Sequence, residues 1–300
     1  MRIFMTGASG WIGSATAAAL IARGHEVTGL ARSEKSAAAL TAAGITPHPG
    51  SLDEPDTLRA GASVADGVIH LGFKHDYSDM AASGRTDRAV LETLGDALAG
   101  SDRPLLLASG VAGLTPGRIT TEEDRNPSEG PDSMRGGGEN LALSFADRGV
   151  RSVALRFAPT VHGAGGDHGF IATIAQAAMR TGVSAYIGDG ANRWPAINRA
   201  DAADLVALAL EGSAAGSVVH LVAEEGVATK EVAAALGAAL ELPVESIHPD
   251  AAVERFGWVG RFFALDTPAS SLITRERLGW EPTAPGLLAD IASGYYTPTR

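Results

Sequence analysis

Three glycines at intervals of three follow a short apolar stretch at the start of the chain. Residues 2–6 predict a β-strand, Gly7, Gly10 and Gly13 come next, and the apolar run over residues 11–23 predicts a helix. A glycine turn between a strand and a helix is the setting in which a phosphate-binding fingerprint has meaning. Gly7 permits the tight turn, and Gly10 lets backbone approach a pyrophosphate. This stretch therefore predicts an α/β fold organised around a dinucleotide.

The start of the predicted helix is where the phosphates of a dinucleotide would bind. Helix N-termini present N–H groups and about half a positive charge to an anion. The alternative is a glycine-rich turn that holds no ligand. The residues that we expect to form the phosphate loop are Gly7, Ser9, Gly10, Trp11, Ile12 and Gly13.

The composition narrows the classes of partner. Apolar residues make up 45% of the 300 residues, enough for a sizeable core, and the formal net charge is −11. An acidic chain without a basic stripe is not expected to bind nucleic acid. The chain has no cysteine, which excludes disulfides and thiolate catalysis, and we predict no metal site. No apolar run has membrane-spanning length and the first strand begins at residue 2, so we expect a cytoplasmic protein with a small-molecule substrate. The composition leaves open whether the chain forms a homodimer.

The glycine spacing G-x-x-G-x-x-G, written here as TGASGWIG, resembles the short-chain dehydrogenase/reductase superfamily in its extended or atypical, NAD-dependent epimerase/dehydratase-like branch. The stretches LRFAPTVHGAG at 155–165 and LGWEP at 278–282 are similar to the same branch. The resemblance implies a Rossmann-type doubly wound parallel sheet with a small C-terminal substrate-binding region. The implied domains are an NADP-binding Rossmann domain at 1–160 and a mainly substrate-binding region at 161–300, partly interleaved with the first.

The end of the second predicted strand, at residues 25–32, bears on the choice of cofactor. In NAD-binding members of such folds, an acidic residue near this strand's end accepts a hydrogen bond from the ribose 2′-hydroxyl. Here that place holds Ala31, followed by Arg32 and Ser33. Arg32 can hold a 2′-phosphate through a charge-assisted pair worth about 1.5–3 kcal/mol. We therefore predict NADP(H), with Arg32 and Ser33 as contacts; the alternative is that Arg32 is a solvated loop cation.

The resemblance implies further cofactor contacts in three segments. The family often carries G-D-L-x-D after its third strand, where its acidic residue touches the adenine. Its fourth strand, matched here by ADGVIHLGF, ends beneath the cofactor ribose, and the backbone of its L-R-P-x-x-V-Y-G stretch contacts the nicotinamide carboxamide. The implied contacts are Ser51, Leu52, Leu71, Gly72, Phe73, Pro159, Thr160 and Val161.

The family's catalytic pair Y-x-x-x-K is missing from this chain. Counting back from the end of the matching helix puts Glu139 in the family's glutamate place, Arg135 in the lysine place and Pro131 in the tyrosine place. Proline has no hydroxyl, and arginine does not release a proton near neutral pH, although its charge can stabilise a neighbouring anion. The family's serine place holds Gly110, with Ser109 one residue earlier. The usual proton relay is therefore not expected.

Other side chains are candidates for the missing proton donor. The loop at 74–79 follows the fourth predicted strand, at the edge where open parallel sheets bind their ligands. We predict that Tyr77 or His75 of this loop donates the proton. The predicted catalytic residues are Tyr77, His75, Ser109 and Arg135. The residues implied on the substrate side are His162, His168 and Arg193.

Three functions fit these residues. The leading prediction is an NADP(H)-dependent oxidoreductase that acts on a small carbonyl or alcohol through a non-standard catalytic site. A non-catalytic NADP(H)-binding sensor or partner protein is the second, because the usual relay is missing. A sugar-nucleotide epimerase or dehydratase is the third, although it would normally need the absent tyrosine.

Overall fold

The computed structural model describes residues 1–76 and 79–297, and there the chain forms two compact units. The first unit consists of Met1–Ser109, Arg125–Arg156 and Ala203–Val219. The second unit consists of Gly110–Asp124, Phe157–Ala202 and the described chain from His220 onward. The division of the sequence at residue 160 into two domains stays a prediction.

Strands and helices alternate along the chain, as expected of an α/β fold. The elements of the first half are β1 (Arg2–Thr6), α1 (Trp11–Ala22), β2 (Glu26–Ala31), α2 (Glu34–Ala42), β3 (Thr46–Pro49), α3 (Pro55–Ser63), β4 (Gly67–His70), α4 (Met80–Leu98), β5 (Pro104–Gly110), α5 (Gly138–Ser144) and β6 (Arg151–Phe157). Those of the second half are β7 (Thr160–His162), α6 (Phe170–Thr181), β8 (Ser184–Ile187), β9 (Arg193–Asn198), α7 (Arg199–Gly212), β10 (Ser217–Leu221), β11 (Glu224–Ala228), α8 (Thr229–Leu240), β12 (Val244–Ile247), α9 (Ala252–Phe256), α10 (Val259–Phe263), α11 (Leu272–Leu278) and α12 (Leu287–Ala292).

The central sheet of the described chain has seven strands in the order β10-β6-β5-β4-β1-β2-β3. β1 pairs in parallel with both β2 and β4, so that Phe4 is aligned with Thr28 on one side and Val68 on the other. The pairs β2–β3 and β4–β5 are parallel as well. Since the chain runs from β1 out to β3 and then returns to β4, the strand order reverses between β1 and β4. The predicted Rossmann-type doubly wound sheet is confirmed, and ligands of such sheets bind beyond the carboxyl ends of the strands at this reversal.

The central strands are apolar on both faces. Ile3, Phe4 and Met5 of β1 are buried, as are Val68 and Ile69 of β4. Phe4 belongs to a core cluster that includes buried side chains of α3 and α4. Parallel strands covered on both faces read as continuous apolar runs, which is why β1 and β4 are predictable from the sequence. Full burial of side chains of this size contributes about 1.5–3 kcal/mol each.

The second unit has smaller sheets and a core of its own. β9 pairs antiparallel with β11 and parallel with β7, and β8 pairs in parallel with β12. Trp194 of β9 packs edge-on against Phe263 and lies 5.3 Å, centroid to centroid, from Phe170. Buried side chains of α6, α8 and α12 join the same cluster. Among the described residues, no helix combines the length and the apolar character needed to cross a membrane.

Candidate functional site

The glycine turn after β1 lies against the segment that follows β4. Gly7 has φ +72°, and a β-carbon there would lie 2.7 Å from the backbone nitrogen of Gly72. A β-carbon at Gly13 would overlap the carbonyl oxygen of Gly7, so α1 sits against the turn as the fingerprint requires. Gly10 is exposed, and within the described chain only the Gly7 oxygen, at 3.2 Å, lies within 4 Å of a β-carbon added there. The turn therefore has the cradle shape that a pyrophosphate fits, with its open side at Gly10.

The N-terminus of α1 is available to an anion. Gly10 is the N-cap residue, and no side chain of the described chain caps this helix. The Gly10 carbonyl accepts from the Ser14 amide and hydroxyl, at 3.0 and 2.8 Å, which anchors the first turn. Ser9 is exposed beside Gly10, while Trp11 and Ile12 are half-buried. An uncapped N-terminus directs its N–H groups and the positive end of the helix dipole at whatever binds there.

A buried hydrogen-bond chain fixes the end of β4 against this turn. The Thr6 hydroxyl oxygen accepts from the Gly72 amide at 3.1 Å and lies 2.6 Å from His70 Nδ1. His70 Nε2 lies 3.1 Å from a carboxylate oxygen of Asp87. Because a carboxylate only accepts, His70 Nε2 is the donor in its bond to Asp87. This hydrogen-bond chain holds Gly72 in place, and no sequence pattern indicates it, because Asp87 lies 17 residues beyond His70.

The end of β2 presents a cation where NAD-binding members have a carboxylate. Ala31 is buried as the last residue of the strand, and Arg32 is exposed, with no ion pair inside the described part of the chain. The Ser33 hydroxyl accepts from the Ser36 amide at 3.2 Å and caps α2. Ser51 and Leu52 are half-buried. These placements leave the predicted contacts of Arg32, Ser33, Ser51 and Leu52 as predictions.

Two of the predicted catalytic residues meet at Phe73, just beyond β4. The Arg135 guanidinium lies over the Phe73 ring, 4.4 Å from its centroid. The His75 ring packs edge-on against the same phenyl ring, with centroids 5.2 Å apart. A guanidinium over an aromatic face is held by a cation–π attraction of about 0.5–2 kcal/mol. The structure thus brings a cation and an imidazole together near the carboxyl end of β4, and Tyr77 lies outside the described residues.

The backbone that carries Arg135 is held in an unusual conformation. A 3₁₀ turn spans Met134–Gly137, and φ is +53° at Arg135, +60° at Gly136 and +61° at Gly137. A β-carbon at Gly136 would overlap the carbonyl oxygen of Gly84 in α4, so this contact needs glycine. Glycine is a poor helix former, so glycines 136–138 weaken the start of α5, and the first two of them belong to a left-handed turn packed on α4. A left-handed arginine costs about 1–2 kcal/mol, which the packing of this turn must offset.

Ser109 lies at the end of β5 in a second polar group. Its hydroxyl donates to Glu139 Oε2 at 2.5 Å, and Asn126 Nδ2 donates to the same oxygen at 3.1 Å. Arg156 donates to Glu139 Oε1 through Nε at 3.0 Å and through Nη2 at 2.6 Å, and both partners of this ion pair are buried. Burial alone would raise the pKa of Glu139, but the hydrogen bonds and charge of Arg156, with Ser109 and Asn126, outweigh it and leave that pKa below its ordinary value. Ser109 is thereby held at a fixed place at the sheet edge.

The predicted substrate-side residues lie in the second unit. His162 is fully buried, with Nδ1 2.6 Å from Asp290 and Nε2 3.8 Å from Glu224. Arg193 is paired with Asp266 through Nε at 3.1 Å and Nη2 at 3.0 Å. Of the remaining predicted residues in this unit, His168 is exposed and Thr160 is buried. Pro159 and Val161 are half-buried. Their roles stay predictions.

The sequence of residues 3–223 matches the model of the NAD dependent epimerase/dehydratase family. The chain belongs to that family. It is 48% identical over 297 residues to an uncharacterized protein of Schizosaccharomyces pombe, covering 99% of this chain and 100% of that one. It is 40% identical over 299 residues to an uncharacterized protein of Saccharomyces cerevisiae, covering 98% and 99%.

Solved structures of the epimerase/dehydratase fold superpose on the whole chain. The UDP-glucose 4-epimerase of Thermus thermophilus, solved in complex with NAD, has a TM-score of 0.77 and covers 100% of both chains. The identity is 20%, so the likeness shows the fold. The resemblance stated from the glycine spacing is therefore confirmed at the level of family and fold.

The buried pair of this epimerase/dehydratase family member gives a stability prediction. Replacing Glu139 with glutamine is expected to lower the free energy of unfolding at neutral pH by about 3–5 kcal/mol, because Arg156 loses its buried counter-charge. Since the folded-state pKa of Glu139 is lowered, its contribution is present above its unfolded pKa, about 4.3, and is lost as the pH falls through the folded value. Urea unfolding of both proteins, at neutral pH and at steps below pH 4, measures this contribution. The wild type should be the more stable protein at neutral pH, and the difference in unfolding free energy between the two proteins should shrink as the pH falls.

The matched control for that measurement is Glu129→Gln. Glu129 forms an exposed pair with Arg125, and exposed pairs contribute at most about 1 kcal/mol. Equal losses in the two variants, or parallel acid profiles for Glu139→Gln and wild type, would contradict the role assigned to the buried carboxylate.

Proposed function

We propose that the chain is an NADP(H)-dependent oxidoreductase that interconverts a small carbonyl compound and its alcohol. The observation that carries the proposal is the pairing of an uncapped, glycine-cradled α1 N-terminus with an exposed arginine, Arg32, directly after β2. The first feature suits a pyrophosphate, and the second suits the 2′-phosphate that distinguishes NADP(H) from NAD(H). Membership of an NAD dependent family supports a nicotinamide dinucleotide as the cofactor class.

The chain's own groups have distinct roles in this proposal. The Gly10 turn and the first turn of α1 hold the pyrophosphate, and Arg32 holds the 2′-phosphate. NADPH, when bound, supplies hydride to the carbonyl carbon. A proton must reach the carbonyl oxygen, and His75 or Tyr77 donates it. The Arg135 guanidinium stabilises negative charge that develops on that oxygen, in place of the family's lysine.

A reductase fits these residues better than a sugar-nucleotide epimerase. The tyrosine place of the family's relay holds Pro131, which has no group to release a proton. Arg193, the candidate for binding substrate phosphates, is engaged by both carboxylate oxygens of Asp266. A diphosphate would have to displace that carboxylate before it could bind Arg193.

The test of the proposed function is an assay of NADPH consumption with a panel of small aldehydes and ketones. The loss of reduced-nicotinamide absorbance measures that consumption. We expect at least one carbonyl to be reduced by the wild-type protein and none by Gly10→Val. NADPH that binds but is consumed with no member of the panel would favour the non-catalytic sensor. Consumption that persists in Gly10→Val would place the cofactor elsewhere.

Cofactor choice gives a separate prediction for Arg32. NADPH is expected to bind at least about tenfold more tightly than NADH, because a charge-assisted pair contributes about 1.5–3 kcal/mol. Arg32→Ala should remove most of that difference while leaving NADH affinity unchanged. Fluorescence titration of both cofactors at one salt concentration measures this, with the neighbouring exposed cation variant Lys35→Ala as control. Equal affinities of the wild type for NADPH and NADH would overturn the prediction.

A further inference from the structure

The turn that carries Arg135 lies against one face of α4, within the first unit. Three residues in succession, Arg135 to Gly137, have left-handed φ angles of +53°, +60° and +61°. Inside the turn, the Gly136 amide donates to the Ser133 carbonyl at 2.9 Å. An arginine does not favour such a conformation by itself, because its β-carbon approaches the following carbonyl oxygen. The contacts that α4 makes with the turn therefore decide where Arg135 stands.

Two glycines bring the turn and the helix into backbone contact. A β-carbon at Gly136 would overlap the Gly84 carbonyl oxygen. A β-carbon at Gly84 would lie 2.8 Å from the Gly136 nitrogen and 3.3 Å from Cα of Arg135. Gly84 lies inside the 19-residue helix α4, where glycine is less favourable than alanine. The close approach of the Arg135 backbone gives a physical reason for glycine at that position.

Arg88, one helical turn further along α4, binds the same turn through its side chain. Its Nη1 donates to the Gly136 carbonyl oxygen at 3.1 Å. Its Nε lies 3.1 Å from a carboxylate oxygen of the exposed residue Glu92. Hydrogen bonds from a cationic donor are stronger than those between neutral groups. Because the bonded carbonyl belongs to the residue next to Arg135, this bond holds the left-handed backbone from the side of α4.

The Arg135 side chain is held at its other end by an aromatic ring. Its guanidinium lies 4.4 Å from the centroid of Phe73. Phe73 follows Gly72, whose amide donates to the Thr6 hydroxyl at 3.1 Å, so the ring stands on a fixed piece of backbone. A cation that is fixed from both sides can stabilise a developing charge without reorganising during the reaction.

We propose that Arg88 is a positioning residue for Arg135, with Gly84 as the contact that admits the turn. Through the Gly136 carbonyl, Arg88 sets the direction in which the Arg135 guanidinium projects. In the part that rests on the proposed function, it thereby fixes the cation that stabilises charge on the carbonyl oxygen. Displacement of a positioned group by about 1 Å can lower a rate about 100-fold, so the effect belongs in the turnover number and not in cofactor affinity.

The first test measures the position of the guanidinium by NMR of arginine Nε–H groups, without cofactor or substrate. A proton over the face of an aromatic ring is shielded by the ring current. The Nε proton of Arg135 should therefore resonate upfield of that of Arg85, an exposed arginine of α4, and Phe73→Leu should remove this upfield shift. Arg88→Ala should remove it as well. Arg88→Lys keeps one charged donor for the carbonyl and should retain most of the shift.

The second test compares turnover numbers on a carbonyl compound that the wild-type protein reduces. Arg88→Ala should lower the turnover number about 10–100-fold and leave the dissociation constant of NADPH unchanged, and Arg88→Lys should restore most of the turnover. Glu92→Gln removes the ion pair of Arg88 but keeps its bond to Gly136. Arg85→Ala removes an exposed cation from the same helix. Both control variants should keep the upfield shift and the turnover of the wild type.

Gly84→Ala disturbs the same turn from the helix backbone. Its β-carbon would press on Cα of Arg135, at 3.3 Å, whereas alanine favours a helix more than glycine does. This variant should lose the upfield shift and at least about tenfold in turnover number. Such losses could not come from a weakened α4.

The two tests fail separately. An unchanged upfield shift in Arg88→Ala, an equal loss of shift in Glu92→Gln, or wild-type turnover in Arg88→Ala would each overturn the role of Arg88. Loss of the shift in Arg88→Ala alone of the two, in a protein that consumes no NADPH, would sustain the positioning of Arg135 and end the proposed oxidoreductase. Reduction of a carbonyl at the wild-type rate by Arg88→Ala would sustain the oxidoreductase and end the proposal for Arg88.

Discussion

Gly10→Val is expected to abolish NADPH binding in a protein that still folds. A β-carbon at this position meets only the Gly7 oxygen, at 3.2 Å within the described chain, so the fold can accommodate a side chain after a small shift. The added isopropyl group would stand in the open side of the turn, where the pyrophosphate must approach the backbone. Loss of two charge-assisted hydrogen bonds to phosphate corresponds to an affinity about 100-fold weaker or more. Calorimetric titration with NADPH measures the effect, and circular dichroism reports on the fold.

Gly13→Ala is the informative control for this turn. Its β-carbon would overlap the Gly7 carbonyl oxygen, so the variant should lose about 3 kcal/mol of unfolding free energy, as overpacked sites do. The two variants thus separate binding from folding. Gly10→Val should fold without binding NADPH, whereas Gly13→Ala should be less stable. Unchanged NADPH affinity in folded Gly10→Val would show that the phosphate loop lies elsewhere.

His75→Ala is expected to lower the turnover number by about 10²–10⁴-fold if the imidazole donates the proton. Its ring stands against Phe73 beside Arg135, so a donor and a charge-stabilising cation meet at one aromatic ring. Tyr77→Phe is the parallel variant, and the larger of the two losses identifies the donor. NADPH affinity should stay unchanged in both, because neither side chain is assigned to cofactor binding.

Two further variants sharpen the assignment of the proton donor. Arg135→Lys keeps the charge but loses the planar stacking on Phe73, so turnover should fall less than in Arg135→Gln. His248→Ala removes an exposed histidine paired with Asp250 and should leave turnover unchanged. Full turnover in both His75→Ala and Tyr77→Phe, with NADPH binding intact, would exclude this loop as the proton donor and direct attention to His162, His168 or a bound water.

The parts of the fold that the sequence predicts are those with a local pattern of apolar residues and glycines. The strand–glycine–helix opening and the buried strands β1 and β4 carry continuous apolar runs that indicate their own conformation. The boundaries of elements are harder to predict. The sequence predicts β4 at 65–73, but the strand ends at His70, and beyond it the Gly72 amide donates to the Thr6 side-chain hydroxyl instead of to a strand carbonyl. The start of α4 at Met80 depends on Asp79, which caps the helix by accepting from the Ala82 amide.

The site is harder to predict than the fold because its groups meet across long stretches of chain. The place of Glu139 can be counted from the family motif, but its bonds to Ser109, 30 residues earlier, and to Arg156 depend on tertiary packing. His162 and Asp290 are 128 residues apart, and no periodic pattern links them. The left-handed turn at Arg135 has no sequence signal either, since it follows from a close contact with α4.

Transfer of deuterium tests the central claim most directly. NADPH deuterated at one face of nicotinamide C4 is incubated with the protein and the small-carbonyl panel, and each product alcohol is analysed by mass spectrometry. We expect a single deuterium in the alcohol from one of the two C4-labelled forms, and none with Gly10→Val. NADPH that binds tightly while its deuterium reaches no alcohol, from either labelled form, would contradict an oxidoreductase.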